Sequence, residues 1–336
     1  MKTWKAPLAV LLAGTLTLVG CGGASSTSPA MTPAPSQHET GAPAPASTRV
    51  FRATSAHGAY AGWRLRFPVA RSAVTAVGGD PRHTLMAGGM LPGDSSTDRV
   101  SQLDPTTGRT TPGPPLSIPV HDAAAGSFAG RPAVYGGGNT TEQSAVQELR
   151  DGRWQQVARL PTTRSDLSVA TVGARTLVIG GYDGANVALS ILTQRGHGLT
   201  PHGSLRHGVR YAATAVVGHS IYVFGGEVDH RELVTVQRID APTGRTTVVG
   251  RLPRPLGHAM AAYVGGRVLL MGGRTDPETQ SDAMWWFDPA DGRFTRAGRL
   301  PDPVSDGSVV TLGRRIWILG GQDPDVTNRV VLVKVS

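Results

Sequence analysis

Two sets of charged residues recur along this sequence at positions that could act together on a polar ligand. One set precedes short runs of small apolar residues and the other follows pairs of glycines: Arg164, Arg206, Arg210, Arg254 and His258 in the first, and Asp183, Glu227, Asp229, Asp276 and Asp323 in the second. Arginine and histidine can bind anionic groups, whereas the carboxylates can accept hydrogen bonds or exchange protons. The same side chains could equally pair with one another, so a ligand site and a structural network are both open.

The glycine pairs belong to an internal repeat. A double glycine follows a short apolar run six times: Gly88-Gly89, Gly136-Gly137, Gly180-Gly181, Gly225-Gly226, Gly272-Gly273 and Gly320-Gly321. Successive pairs are 44 to 48 residues apart (88 to 136, 136 to 180, 180 to 225, 225 to 272 and 272 to 320). The apolar runs, such as 221–224 and 316–319, predict strands that are buried on both faces. A fixed period of this length is typical of stacked structural repeats.

Turn residues divide each repeat into four strands. A glycine about seven residues before each pair marks a hairpin, as at Gly173 and Gly218, and sequences that run from Asp to Gly, such as 288–292, mark a second turn. The first strand is small and apolar, which suits a crowded position beside a central channel. The content of Gly 44 and Pro 25, with 17% charged residues, agrees with an all-β fold rich in turns.

The repeat resembles the kelch repeat, whose blades contain an early Arg or His, a double glycine, and an aromatic residue before a terminal Leu-Pro. Arg71, Arg164 and His258 match the early residue, and Trp154 and Phe294 match the aromatic residue. The resemblance covers residues 51–336 and implies an all-β, six-bladed β-propeller. It also implies that both charged sets lie on one face, around the mouth of the central channel.

The ring of blades is expected to close through the N-terminal part of this region. Only one strand, near 329–335, remains after the last glycine pair. The segment 59–68 contains Trp63 and ends in Phe67-Pro68, like the fourth strand of the other blades. We predict that this N-terminal strand completes the last blade, because a closed ring leaves no open sheet edge between its ends.

The first fifty residues predict export and lipid attachment. Lys2 and Lys5 precede a largely apolar run, as in a signal peptide, and Leu18-Val19-Gly20-Cys21 resembles a bacterial lipobox. We predict a lipoprotein signal peptide over residues 1–20, followed by an acylated Cys21 and a disordered Pro/Ala/Ser-rich tether over 21–50. The propeller, residues 51–336, is then held on a bacterial membrane in the cell envelope, facing away from the cytoplasm.

The functional class favoured by the sequence is a binding or scaffold module for an envelope protein or glycan, since no complete catalytic set is present. Kelch propellers include a copper radical oxidase resembling galactose oxidase, but that chemistry needs a cysteine cross-linked to a tyrosine, and the only cysteine is Cys21. We predict no cofactor and no bound metal. The alternative is a carbohydrate-active enzyme, resembling a sialic-acid epimerase, at the channel mouth; no catalytic residue is assigned.

The formal charge of +9 allows an anionic partner such as lipid head groups, wall polymers or nucleic acid. The arginines are spread over every repeat instead of forming one run, which an arginine-biased proteome would also produce. Nucleic acid is disfavoured outside the cytoplasm. We predict a monomeric propeller that binds no nucleic acid.

Overall fold

The computed structural model describes residues 51–336, so the predicted signal peptide, Cys21 acylation and tether lie outside the described residues. The described chain forms six four-stranded antiparallel sheets, which are the six blades of a β-propeller. This confirms the predicted all-β, six-bladed architecture. Helical structure within the described part is limited to one 3-10 turn, Val77–Gly79.

Each blade contains four strands in sequence order, except that the last blade takes its outer strand from the start of the described chain. From innermost to outermost, the strands are Ala73–Ala76, Thr84–Ala87, Val100–Asp104 and Arg109–Pro112 in blade 1; Ala124–Phe128, Arg131–Tyr135, Ala145–Arg150 and Arg153–Arg159 in blade 2; Ser168–Val172, Arg175–Ile179, Ser190–Arg195 and Gly198–Ser204 in blade 3; Ala213–Val217, Ser220–Phe224, Thr235–Asp240 and Thr246–Arg251 in blade 4; Met260–Val264, Arg267–Met271, Ala283–Phe287 and Phe294–Arg299 in blade 5; and Ser308–Leu312, Arg315–Leu319, Val330–Val335 and Ala56–Tyr60 in blade 6.

Short hairpins follow four of the glycine pairs. They pair Met90–Leu91 with Ser95–Ser96, Glu227–Val228 with Arg231–Glu232, Arg274–Asp276 with Thr279–Gln280, and Gln322–Asp323 with Asp325–Val326. These hairpins widen the face of the propeller that carries the glycine pairs.

Blade 6 closes the ring as predicted. Its outer strand Ala56–Tyr60 pairs antiparallel with Val330–Val335, with Ala56 opposite Val335 and Tyr60 opposite Val331. The strand begins three residues earlier than the predicted segment 59–68. Trp63 lies after this strand, in the loop that leads into blade 1. Pairing ends before Trp63 because the partner strand starts at Val330 and offers no residue opposite it.

The core lies between neighbouring blades and is built largely from their second strands. Leu177, Ile221, Leu269 and Ile316 have no solvent exposure. Clusters of such side chains join one sheet to the next, as where blades 3 and 4 share Ile179 and Ile221. Each large apolar side chain buried in this way contributes about 1.5–3 kcal/mol relative to an exposed one, so packing between blades holds the ring together.

The glycine pairs link each blade to the next. The second glycine of each pair donates a backbone hydrogen bond of 2.7–3.0 Å to a carbonyl in the loop that leads into the following blade: Gly89 to Val120, Gly137 to Arg164, Gly181 to Val209, Gly226 to Leu256, Gly273 to Val304, and Gly321 to Val69. The last of these bonds joins blade 6 to blade 1. A Cβ atom on Gly225 would collide with the carbonyl oxygen of Leu256, so close approach of two backbones requires glycine there.

These links define two faces of the propeller. The mouth face carries the glycine pairs and the loops that lead into the innermost strands. The turn face carries the hairpin turns between the first and second strands, centred on Gly78, Gly130, Gly173, Gly218, Gly265 and Gly313. Inner strands of four or five residues separate the two faces by roughly 15 Å.

Candidate functional site

A ring of six residues surrounds the channel on the mouth face. One residue comes from each blade, two positions before its innermost strand: Arg71, Asp122, Asp166, Tyr211, His258 and Asp306. All six have left-handed backbones with φ of 53° to 59°. Such a conformation costs about 1–2 kcal/mol for a residue other than glycine, so the surrounding structure must impose it.

Backbone hydrogen bonds close this ring. The N–H of each ring residue donates to the carbonyl of the ring residue in the preceding blade at 2.9–3.1 Å, and Arg71 completes the circle by donating to Asp306. The frame is therefore built from main-chain atoms, and its six side chains surround a cavity of about 130 Å³.

His258 is held between two carboxylates. Its Nδ1 lies 2.7 Å from Asp306 Oδ1, its Nε2 lies 3.1 Å from Glu227 Oε2, and its ring stacks on Tyr211 at 3.9 Å between centroids. Burial alone would lower the pKa of His258, but Asp306 and Glu227 outweigh burial and raise it to about 9. The imidazole is thus a cation near neutral pH, and each nitrogen donates to a carboxylate.

Glu227 also binds Arg210. The guanidinium of Arg210 donates to Glu227 Oε1 from Nε at 3.1 Å and from Nη2 at 2.5 Å, and it lies over the ring of Tyr182 at 4.9 Å. Hydrogen bonds from His258 and Arg210 lower the pKa of Glu227 to about 2. Arg210, Glu227 and His258, all predicted from the sequence, therefore lie together at the mouth and are largely occupied with one another.

Arg71 spans the channel. Its Nη1 donates to Asp122 at 3.1 Å and to the hydroxyl of Tyr211 at 3.3 Å, and its Nη2 donates to Gln322 at 3.3 Å. Blade 4, which carries Tyr211, lies directly across the six-membered ring from blade 1. The Arg71 side chain therefore reaches across the ring from blade 1 to blade 4.

Asp166 differs from the other charged ring residues because no cationic side chain of residues 51–336 lies within hydrogen-bonding distance of its carboxylate. The closest cation is Arg210, whose Nη1 lies 3.7 Å from Asp166 Oδ2. Burial and the neighbouring Asp122 raise the pKa of Asp166 to about 7, partly offset by Arg210. Facing the cavity, this carboxyl can gain or lose a proton near neutral pH.

The remaining acidic residues predicted for the site lie away from the ring or stabilise their own loops. Asp183 caps its turn by accepting from the N–H groups of Ala185 and Asn186, and Asp276 accepts from the N–H of Glu278. Asp323 pairs with Arg329 at 2.9 Å. Asp229 is exposed in the hairpin after Glu227.

The predicted arginines also separate into distinct environments. Arg164 is buried inside blade 3, where it donates to the carbonyls of Gly180 and Ser190 and to the Ser190 hydroxyl. It does not face the channel, because its guanidinium satisfies the carbonyls beside the third glycine pair. Arg206 is exposed and donates to the Thr246 carbonyl at 3.0 Å, and Arg254 is exposed on the mouth face.

A groove of about 510 Å³ runs outward from the ring between blades 3 and 4. It combines aromatic, apolar and basic side chains with one carboxylate, from Tyr182, Val187, Leu189, Arg206, His207, Arg210, Val228, Asp229 and His230. Leu189 is 48% exposed although it is large and apolar. The groove is therefore larger and more apolar than the ring cavity. Two more grooves, of about 440 and 560 Å³, lie beside blade 1.

Five ring residues were not identified from the sequence as site residues: Arg71, Asp122, Asp166, Tyr211 and Asp306. The sequence does contain a signal for these residues: like His258, each lies two positions before the innermost strand of its blade. Residue type does not reveal this position, because the ring residues share a left-handed backbone and not one side-chain type. Within residues 51–336, no group of three His, Cys, Asp or Glu side chains is arranged to hold a metal ion.

The fold and ring define a six-bladed β-propeller with a charged channel mouth, and comparisons with known proteins identify its repeats. A family model described as Kelch motif matches residues 255–301, which span the loop and strands of blade 5. Kelch-like protein 25 of Xenopus tropicalis is 26% identical over 227 residues, covering 60% of this chain and 37% of that protein. Kelch repeat and BTB domain-containing protein 13 of Homo sapiens is 31% identical over 124 residues, covering 35% of this chain and 27% of that protein.

The chain thus aligns with well under half the length of these two relatives. The solved structure of YjhT is similar with a TM-score of 0.70 at 14% identity, covering 81% of this chain and 99% of that one. Together with the six repeats, these matches identify the chain as a kelch-repeat β-propeller. None of the helical structure in the described region is long and apolar enough to cross a membrane.

Proposed function

We propose that this protein is a binding module of the bacterial cell envelope, anchored through a lipid on Cys21, which engages an envelope protein or glycan through its mouth face. The observation that carries the proposal is the groove between blades 3 and 4. It is open, adjoins the rigid ring, and combines exposed Leu189 with Tyr182, Arg206 and His207. Aromatic and arginine side chains beside apolar surface are characteristic of protein-binding sites.

The charge distribution favours the groove as the specific contact. The ring and its immediate neighbours balance four cations against four carboxylates: Arg71, Arg210, His258 and Arg274 against Asp122, Asp166, Glu227 and Asp306. The mouth therefore has no net charge when Asp166 is ionised. Arg206 and His207 in the groove are exposed, and neither forms a salt bridge with a carboxylate of residues 51–336. A partner with an acidic group beside an apolar one would complement this groove.

The position of residues 51–55 supports a mouth face that is turned away from the membrane. Residues 51–55 run along the turn face, where the N–H of Ala53 donates to the Gly265 carbonyl at 2.9 Å and Phe51 lies under Arg314. A lipid-bearing segment upstream of Phe51 would therefore join the propeller opposite the mouth. This arrangement leaves the groove accessible from the side away from the membrane.

Affinity capture from native membranes with the lipidated full-length protein tests the proposal. Arg206→Glu should abolish recovery of the partner that the wild type retains, because it reverses the charge of the groove. Arg195→Glu is the matched control, since Arg195 is also exposed but lies in the blade 3 turn between Ser190–Arg195 and Gly198–Ser204. Equal recovery by both variants would contradict binding at the groove, and absence of the protein from the membrane fraction would contradict the anchor.

The second candidate is a carbohydrate-active enzyme resembling a sialic-acid epimerase at the mouth. Asp166 favours it, because a carboxyl with a pKa near 7 facing a cavity beside Arg71 and Arg210 is suited to proton transfer. Turnover measured over a panel of acidic sugars, with Asp166→Asn as the comparison, separates the two functions. Turnover that disappears in Asp166→Asn would support the enzyme, whereas uniform inactivity argues against it.

A further inference from the structure

Basic residues that are scattered in the sequence converge on the turn face. The inner hairpin turn of every blade carries at least one: Arg82 and His83, Arg131, Arg175, His219, Arg267, and Arg314 and Arg315 in blades 1 to 6. The acidic residue in these turns is Asp80, which accepts hydrogen bonds from the N–H of Arg82 and from His83. The centre of this face therefore carries a strong excess of positive charge.

Several of these side chains are free to meet an external anion. Arg82, Arg175, Arg314 and Arg315 are exposed, and none forms a salt bridge with a carboxylate of residues 51–336. Arg315 also lies directly opposite Lys334 in the sheet of blade 6, which concentrates charge further. Arg131 is different, because it pairs with the buried Glu148 at 3.2 Å.

Two exposed apolar side chains accompany the charge. Val77, in the blade 1 turn, is 38% exposed, and Tyr263, one position before the end of the innermost strand of blade 5, is 44% exposed. Tyrosine is enriched where proteins meet the head-group region of a membrane, since its ring is apolar and its hydroxyl is polar. Amphipathic helices that lie on anionic lipid combine basic and apolar side chains in the same way.

We propose that the turn face rests on the anionic phospholipid surface of the membrane to which the chain is anchored. The inference depends on the proposed anchoring and adds to it, because the described chain begins at this same face, with Phe51 under Arg314. Each basic residue near an anionic bilayer strengthens binding by about fivefold. This contact would orient the propeller with its mouth face away from the membrane.

Vesicle flotation of the full-length chain tests this contact. All variants carry Cys21→Ser, so that no acyl chain contributes, and they share the same first fifty residues. The probes are vesicles of phosphatidylcholine alone and vesicles containing about a third phosphatidylglycerol. The test variant is Arg175→Glu with Arg315→Glu. The control is Arg231→Glu with Arg251→Glu, which changes the net charge equally but alters exposed arginines outside the turn face.

The wild type and the control should prefer phosphatidylglycerol vesicles, and the test variant should bind them more than tenfold more weakly. The preference should fall steeply as salt rises from about 0.1 to 0.5 M. Equal losses in both double variants, or no lipid preference in the wild type, would overturn the inference. So would a result in which the test variant loses binding to a soluble polyanion such as duplex DNA while vesicle binding is unchanged.

The proposed anchor is tested separately with native Cys21. Membrane association that needs Cys21 but is unaffected by the two turn-face substitutions would leave the anchor standing and contradict the lipid-facing surface. Failure of the Cys21 protein to reach the membrane fraction would contradict the anchor itself.

Discussion

The guanidinium of Arg71 donates a 3.3 Å hydrogen bond to the hydroxyl of Tyr211, which belongs to the blade directly across the channel. The same guanidinium group contacts Asp122 in blade 2 and Asp306 in blade 6. One side chain thus connects four of the six blades. Burial alone would lower the pKa of Arg71, but these two carboxylates outweigh burial and keep it above its ordinary value.

Arg71→Met should destabilise the propeller by about 3–5 kcal/mol, because it removes the arginine that pairs with the buried carboxylate of Asp122 and one of the cations around Asp306. The free energy of unfolding from urea titration measures the effect. Arg82→Met is the control: this arginine is exposed, and its loss should change stability by no more than about 0.5 kcal/mol. Similar values for the two variants would show that the Arg71 contacts do not stabilise the ring.

Stability should depend on the protonation of His258. Its pKa is raised from 6.5 to about 9 in the folded protein, so folding favours the protonated form. The stabilisation is complete below pH 6.5 and disappears as the pH rises through 9, a loss of ~3 kcal/mol. Asp166 does not obscure the loss of stability between pH 7 and 9. Its pKa is raised from 3.8 to about 7, so its own effect on stability falls between those two values.

Urea titrations between pH 7 and 10 provide the measurement for His258. The wild type should lose stability across this range, whereas His258→Gln should be less stable at pH 7 and nearly insensitive to pH above it. A wild-type slope that persists unchanged in His258→Gln would assign the pH dependence to another group.

Gly225→Ala should be far more damaging than Gly218→Ala. Both glycines have left-handed backbones, with φ of +56° and +59°, but a Cβ on Gly225 collides with the Leu256 carbonyl, whereas a Cβ on Gly218 meets nothing within 4 Å. Gly218→Ala should therefore lose only about 1–2 kcal/mol. Gly225→Ala should lose several kcal/mol more by thermal unfolding, and equal losses would argue against a close approach at this blade boundary.

Removal of residues 1–60 should open the ring, whereas removal of residues 1–50 should not. The longer deletion takes away Ala56–Tyr60 and exposes the edge of Val330–Val335. An unpaired apolar edge strand promotes association between chains. Size-exclusion chromatography with light scattering should find a monomer for the shorter deletion and larger species for the longer one. A monomer in both cases would mean that another segment covers this edge.

The repeat pattern was sufficient to predict the architecture, because each glycine pair and each buried strand obeys a local rule. Closure of blade 6 was also predictable, since one strand was missing at one end and a surplus strand was present at the other. Of the six ring residues, only His258 was predicted from the sequence as a site residue. Arg71, Asp122, Asp166, Tyr211 and Asp306 share a backbone conformation with it, and residue type alone does not reveal that.

Arg164 illustrates the other limit. Its position resembles that of a channel residue, yet its guanidinium turns into blade 3 to bond Gly180 and Ser190. Which way a long side chain turns depends on carbonyl groups that only the folded chain brings within reach. The basic residues of the turn face are likewise dispersed in the sequence. What they share is a position at the hairpin turn between the first and second strands of a blade, and folding brings these turns together.

The circle of main-chain hydrogen bonds from Arg71 to Asp306 involves no side-chain atoms, so its six positions hold four side-chain types: Arg, Asp, Tyr and His. A substitution at a ring position keeps these main-chain hydrogen bonds available, provided the new residue tolerates a left-handed backbone, but at Arg71 and His258 it also removes stabilising side-chain contacts. Asparagine, aspartate, histidine and glycine meet that condition most easily. The side chains around the mouth can therefore differ while the main-chain circle stays the same.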